Sequence, residues 1–131
     1  MPVEVTMEDS ILLSVAKYIG LPEGYSVFDP DLIMAINAEL STLAQIGAVP
    51  NTGFVITGSD ETWSDLFDAT EAEGGLPNTR NSVQFVKEFV YIRVKMVFDP
   101  PQSSFVLKSL EDKANELMFR IIVATEQPIG G

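Results

Sequence analysis

The sequence predicts a mainly α-helical fold: a small bundle of about four helices, with a short β-hairpin or arm within residues 48–78. Three observations predict it. Apolar residues recur at spacings of three and four in four long segments; helix-ending punctuation follows them at Gly20, Gly47 and Phe98-Asp99-Pro100-Pro101; and only residues 48–78 break the periodicity. At 131 residues the chain fits one domain, residues 1–125, followed by a flexible tail at 126–131.

The first helix is expected over residues 7–19. Thr6 supplies a capping hydroxyl, Glu8 and Asp9 suit the positive end of the dipole, and Ile11, Leu12, Val15, Ala16 and Ile19 form one apolar face. The second is expected over 30–46. There Asp29 caps, Pro30 takes the first helical position, Phe28 staples onto Ile33, and the stripe Leu32, Ile36, Leu40, Leu43 runs to Gly47.

Between Gly53 and Gly58, Phe54-Val55-Ile56-Thr57 reads as a short strand. Ser59 then caps a short helix with Trp63, Leu66 and Phe67 on one side. Asp60, Glu61, Asp65, Asp68, Glu71 and Glu73 make this the most acidic stretch of the chain.

Asn81-Ser82-Val83-Gln84 resembles a capping box and opens the third long helix. At about 100° per residue, Val83, Val86, Val90, Val94 and Val97 form one stripe and Phe85, Phe89, Ile92 and Met96 another beside it. Val90, Ile92, Val94, Met96 and Phe98 also alternate as in a strand, but the segment far exceeds the usual strand of about 5–6 residues. Arg93 falls inside the apolar arc, either snorkelling to solvent or meeting a carboxylate on a neighbouring subunit.

Pro100 forces Asp99 out of helical angles, so Phe98-Asp99-Pro100-Pro101 is a rigid corner, and Asp99 is placed to cap the next helix with Gln102 answering it. That last helix, 105–124, carries the seam Leu107, Leu110, Ala114, Leu117, Ile121. Lys108 with Asp112 and Glu116 with Arg120 solvate its outer side.

Composition excludes several functions. The chain has no cysteine and no histidine, which removes thiolate chemistry, the commonest general base and the commonest transition-metal ligand. No nucleophile elbow or phosphate loop is present, and Asp29 and Asp31 lead to Ile33 where an EF-hand needs a third ligand. A non-enzyme without cofactor or metal is expected.

No apolar run approaches the roughly 20 residues that span a bilayer, and Met1-Pro2 with Glu4, Glu8 and Asp9 lacks a basic leader, so a soluble, non-exported protein is expected. Residues 1–79 hold 13 acids against one base and residues 80–131 hold 6 against 7, giving −12 and +1. Such a chain does not grip phosphates.

The run Tyr91-Ile92-Arg93-Val94-Lys95-Met96-Val97-Phe98-Asp99-Pro100-Pro101-Gln102-Ser103-Ser104-Phe105-Val106-Leu107 continues to Leu110-Glu111, Glu116-Leu117 and Arg120-Ile121. It resembles the C-terminal half of head–tail connector (head completion) proteins of tailed bacteriophages. Glu61-Thr62-Trp63-Ser64-Asp65 is similar to the family's upstream Thr-Trp-acid segment.

The resemblance implies a non-enzymatic virion subunit at the head–tail interface, assembled in the host cytoplasm into a homo-oligomeric ring, typically twelve-fold. The ring docks on the portal protein and receives a tail or head-completion protein, and DNA passes through without specific binding. Under that reading Trp63, Arg80, Lys87, Arg93 and Lys95 are interface candidates, and the acids from Asp60 to Glu73 line the channel or an outer acidic surface. Gly- and acid-rich residues between Trp63 and Arg80 depart from the family pattern. A tail-terminator ring and an acidic regulatory or DNA-mimic protein are the alternatives.

Overall fold

The computed structural model describes residues 9–50, 53–76 and 79–126 and places five helices in them: α1 (Ile11–Tyr18), α2 (Asp29–Gln45), α3 (Trp63–Ala72), α4 (Arg80–Phe98) and α5 (Ser104–Glu126). The mainly helical expectation holds. The four helices expected as long segments and the short one at Trp63, α3, make up the five, and α5 runs through Glu126, into the span expected to be tail.

Several helix starts are capped by a different residue from the one expected. Ser10, not Thr6, caps α1, its Oγ accepting from the Leu13 N–H at 3.2 Å; Thr6 lies outside the described residues. Asp29 is already inside α2, leaving Phe28 at the cap position with no side-chain bond. Thr62 rather than Ser59 caps α3, and Thr79 caps α4 by accepting from the Ser82 N–H at 3.2 Å. In each hydroxyl case the residue sits in extended backbone immediately before the first turn, where its oxygen reaches a free N–H three residues on.

No strand or hairpin forms among the described residues. Phe54–Thr57 has no regular secondary structure, and its backbone is bonded to a side chain: the Ile56 N–H donates to Asn37 Oδ1 at 2.8 Å, and Asn37 Nδ2 donates to the Ile56 carbonyl at 3.0 Å. The α2 amide thus takes the place of a pairing strand and seats Ile56, 1% exposed, in the core.

The starts of α1 and α3 are tied together. Trp63 N–H donates to the Asp9 carbonyl at 2.9 Å, Ile11 N–H to the Glu61 carbonyl at 3.1 Å, and Ser10 Oγ to the Ser59 carbonyl at 2.8 Å. At the other end of α3, a Cβ on Gly75 would stand 3.0 Å from the Gly47 carbonyl oxygen and from Thr70 Cγ2, so glycine lets the turn after α3 close on the turn after α2 without crowding.

A single core runs through the molecule, and α4 is its hub. It packs against α1, α2 and α5, which is the physical reason for its wide apolar arc. Val86, Val90 and Val94 from the first stripe, and Phe89 and Ile92 from the second, are all buried within this one chain.

Candidate functional site

The α4–α5 hairpin is the candidate site. At its corner the Asp99 N–H still bonds the Lys95 carbonyl at 2.8 Å, but Asp99 itself leaves helical angles at φ −145°, ψ 66°, as a residue before proline must. Asp99 does not cap α5. Ser103 does: its Oγ accepts from the Val106 N–H at 3.3 Å and its carbonyl from the Leu107 N–H at 3.0 Å. Asp99 instead turns back to Lys95, 3.5 Å away, because Pro100 and Pro101 set α5 four residues further on.

Two aromatic groups fix the hairpin to the body. Phe98 meets Phe28 edge-on at 5.2 Å, and Phe28 packs on Tyr25 at 5.8 Å, so the corner rests on the α1–α2 connection. Halfway along α4, Tyr91 stacks on Tyr18 at 5.0 Å and meets Trp63 edge-on at 5.9 Å; Trp63 in turn stacks on Phe67. Burial pushes the Tyr91 phenol above its ordinary value, against opposing hydrogen bonds with Ser14 and Trp63. Burial, then the Glu88 carboxylate, do the same to Tyr18.

The interface candidates whose side chains are described do not form one patch. Trp63 is 2% exposed, with its indole N–H donating to Ser14 Oγ at 2.9 Å, so it is a core anchor and presents no free surface. Lys87 lies 6.0 Å above the Trp63 ring. Lys95 pairs with Asp99 on the same helical face as Lys87, two turns on. Arg93 has a carboxylate partner inside the chain: its Nε donates to Glu39 Oε1 at 3.1 Å. Arg80 opens α4 and its side chain lies outside the described residues.

Of the acidic candidates, Asp60, Asp65, Asp68, Glu71 and Glu73 are exposed, most of them along the outer side of α3 opposite Leu66 and Phe67. Glu61 is different. It accepts from Thr57 Oγ1 at 2.7 Å and from the Gly58 N–H at 3.2 Å, closing the turn that leads to α3. Its burial opposes ionisation, but these hydrogen bonds outweigh it and hold the carboxyl below its ordinary value.

Two features escaped the sequence reading. Glu39 is 8% exposed, and the signal for it was present: it lies three residues after Ile36 and four before Leu43, on the apolar stripe of α2. The second is the apolar surplus of α5. That helix has 23 residues but buries only Ala114, Leu117 and Ile121 among those described, while Phe105, Val106, Phe119 and Val123 face outward. The expected seam is therefore fully covered only in its second half; Leu107 and Leu110 are half-buried.

Among the described residues no group of three or more acidic side chains is arranged to hold a metal ion, and no helix is long and apolar enough to cross a membrane. Every buried side-chain polar atom described has a hydrogen-bond partner.

No curated protein and no solved structure matches the chain. A family model described as phage connector protein matches residues 11–128, which takes in all five helices. The chain, with its proline-cornered hairpin resting on a compact helical body, belongs to the phage connector protein family.

Proposed function

We propose that this chain is a non-enzymatic structural subunit that joins copies of itself into a ring between the portal and the tail of a tailed bacteriophage. The observation that carries this reading is the family match over residues 11–128, which spans the whole hairpin and the helices that brace it. The ring, twelve-fold by the family resemblance, extends the channel for DNA and offers the tail its attachment surface.

Charge and geometry support the assignment. With a net charge of −11 and the α3 acids exposed, the channel wall repels phosphates, so DNA passes without being held. Helix α4 packs against α1, α2 and α5 within the chain, and α5, the hairpin's outer arm, keeps Phe105, Val106, Phe119 and Val123 exposed for a neighbour. Among the described residues Arg93 bonds Glu39 through its Nε, and its side chain, 43% exposed, is placed to reach a neighbour's carboxylate as well.

The test is to add purified protein to DNA-filled, tail-less heads and image the portal vertex. Ring-shaped added density there, with tails then able to attach, is the expected result. Binding to free tails instead points to a tail-terminator role, and tight association with a basic nuclease or repressor and no portal dependence points to a DNA mimic; either result removes the proposal.

A further inference from the structure

We propose that the cleft between α1 and α4 is a carboxylate site, which takes an aspartate or glutamate side chain presented by a different protein. This goes beyond the ring reading and does not rest on it. Residues 1–79 carry 13 acids and a single base, Lys17. In so acidic a molecule a cation is expected to find a carboxylate within the chain, and Arg93, Lys95, Lys108 and Arg120 each do. Lys17 and Lys87 form no ion pair among the described residues, and both line this one cleft.

The helices explain why they meet. Ser14, Lys17 and Tyr18 follow one another on α1 at spacings that share a face, Lys87 and Tyr91 are four apart on α4, and α1 packs on α4. The opening between them is about 380 Å3, on the scale of a side chain. Tyr18 and Tyr91 stack with ring centres 5.0 Å apart, giving the cleft an apolar wall for the methylenes of an acidic side chain. Tyr18, 43% exposed, adds a phenol donor. The Lys87 ammonium stands 6.0 Å from the Trp63 ring centre, a contact that steadies it without taking up its N–H donors.

Charge selects the occupant. Glu88, the carboxylate that bears on the Tyr18 phenol, accepts from Gln84 at 3.1 Å and pairs with neither lysine. One incoming carboxylate between the two ammoniums therefore meets donors that no acid of the chain already holds. A string of phosphates would instead have to settle on a molecule of net charge −11, which opposes it at every charge beyond the first.

Trp63 is the one tryptophan of the chain and lies beneath Lys87, so its emission reports on the cleft. The experiment follows that emission while the whole chain is titrated, at low ionic strength, with the capped tripeptide Ala-Glu-Ala and separately with Ala-Gln-Ala. A saturable change with the glutamate peptide alone is expected, weakening as salt is added. K17Q and K87Q should each lower its affinity roughly fivefold, the loss of one charged donor, and K87R should keep it. Circular dichroism checks each fold, and K17Q, at an exposed position, carries the test if K87Q does not fold.

No saturable change, or an equal response to Ala-Gln-Ala, overturns the site. So does an equal loss of affinity in K113Q, which removes an exposed lysine on α5 that does not line the cleft. Tighter binding of inorganic phosphate or duplex DNA than of the glutamate peptide, lost in K17Q, replaces the carboxylate with a phosphate and overturns the proposal. Self-association of the wild-type chain that K17Q abolishes, measured by sedimentation, puts an acid of a second copy in the cleft and removes the different protein.

Discussion

Glu39 and Arg93 show how a single residue changes the meaning of another. Arg93 alone looks like a cation waiting for a neighbouring subunit; with Glu39 nearly buried beside it, it is first a partner within the fold. Replacing Arg93 with Gln leaves the Glu39 carboxylate without its charged donor, and the expected cost is about 1–3 kcal/mol of unfolding free energy by chemical denaturation, the range for an unsatisfied buried group. Replacing it with Glu places two carboxylates together and costs more, so loss of assembly in that variant is not evidence about a neighbour unless the melt is intact. Glu39 was legible in the apolar stripe of α2, but its partner was not, because periodicity places a residue on a face and does not say which helix that face meets.

Protonation at two other residues gives opposite pH limbs. Glu61 has its folded-state pKa lowered by the Thr57 and Gly58 hydrogen bonds, so its stabilisation is present above the ordinary carboxylate value of 4.5 and is lost as pH falls through the folded value. Glu61→Gln should flatten the acid limb of a stability–pH curve. Tyr91 has its value raised, so its contribution is complete below the ordinary 10.0 and is lost as pH rises through the folded value. Tyr91→Phe should therefore shift alkaline unfolding, followed by circular dichroism, to higher pH; an unchanged limb would show that the phenol is not what destabilises the fold there.

Among the elements, the hairpin corner separates what sequence supplies from what packing decides. The proline stop, both arms and the residues of the α5 seam were legible, because proline acts locally and the seam repeats over several turns. The cap was not: Asp99 and Ser103 are both good capping types, and the choice depends on where the two prolines release the chain. Ser103→Ala is expected to cost roughly 0.5–2 kcal/mol, while Asp99→Ala, which removes only an exposed pair with Lys95, should cost less in the same denaturation series. The double stripe of α4 was likewise legible as a pattern but not as a purpose. Val86, Phe89, Val90, Ile92 and Val94 are absorbed by α1, α2 and α5, while Val97 at the end of α4 stays uncovered, as do Phe105, Phe119 and Val123 on α5.

For the whole molecule, charge and family membership point the same way. An acidic body with seven of its eight cations in residues 80–131, most of the described ones already paired or seated on an aromatic ring, is poorly suited to holding nucleic acid. The purified chain should show no salt-sensitive retention of duplex DNA in a filter-binding assay; affinity falling with added salt would contradict the picture of a channel that lets DNA pass. The family match places the chain among phage connectors, and within the fold α4 is the hairpin arm braced by α1, α2 and α5, while α5 keeps an exposed apolar side. The most direct measurement is imaging of DNA-filled, tail-less heads before and after the chain is added. Closed ring density appearing at the portal vertex is the result this account predicts, and a vertex unchanged by saturating protein would contradict it.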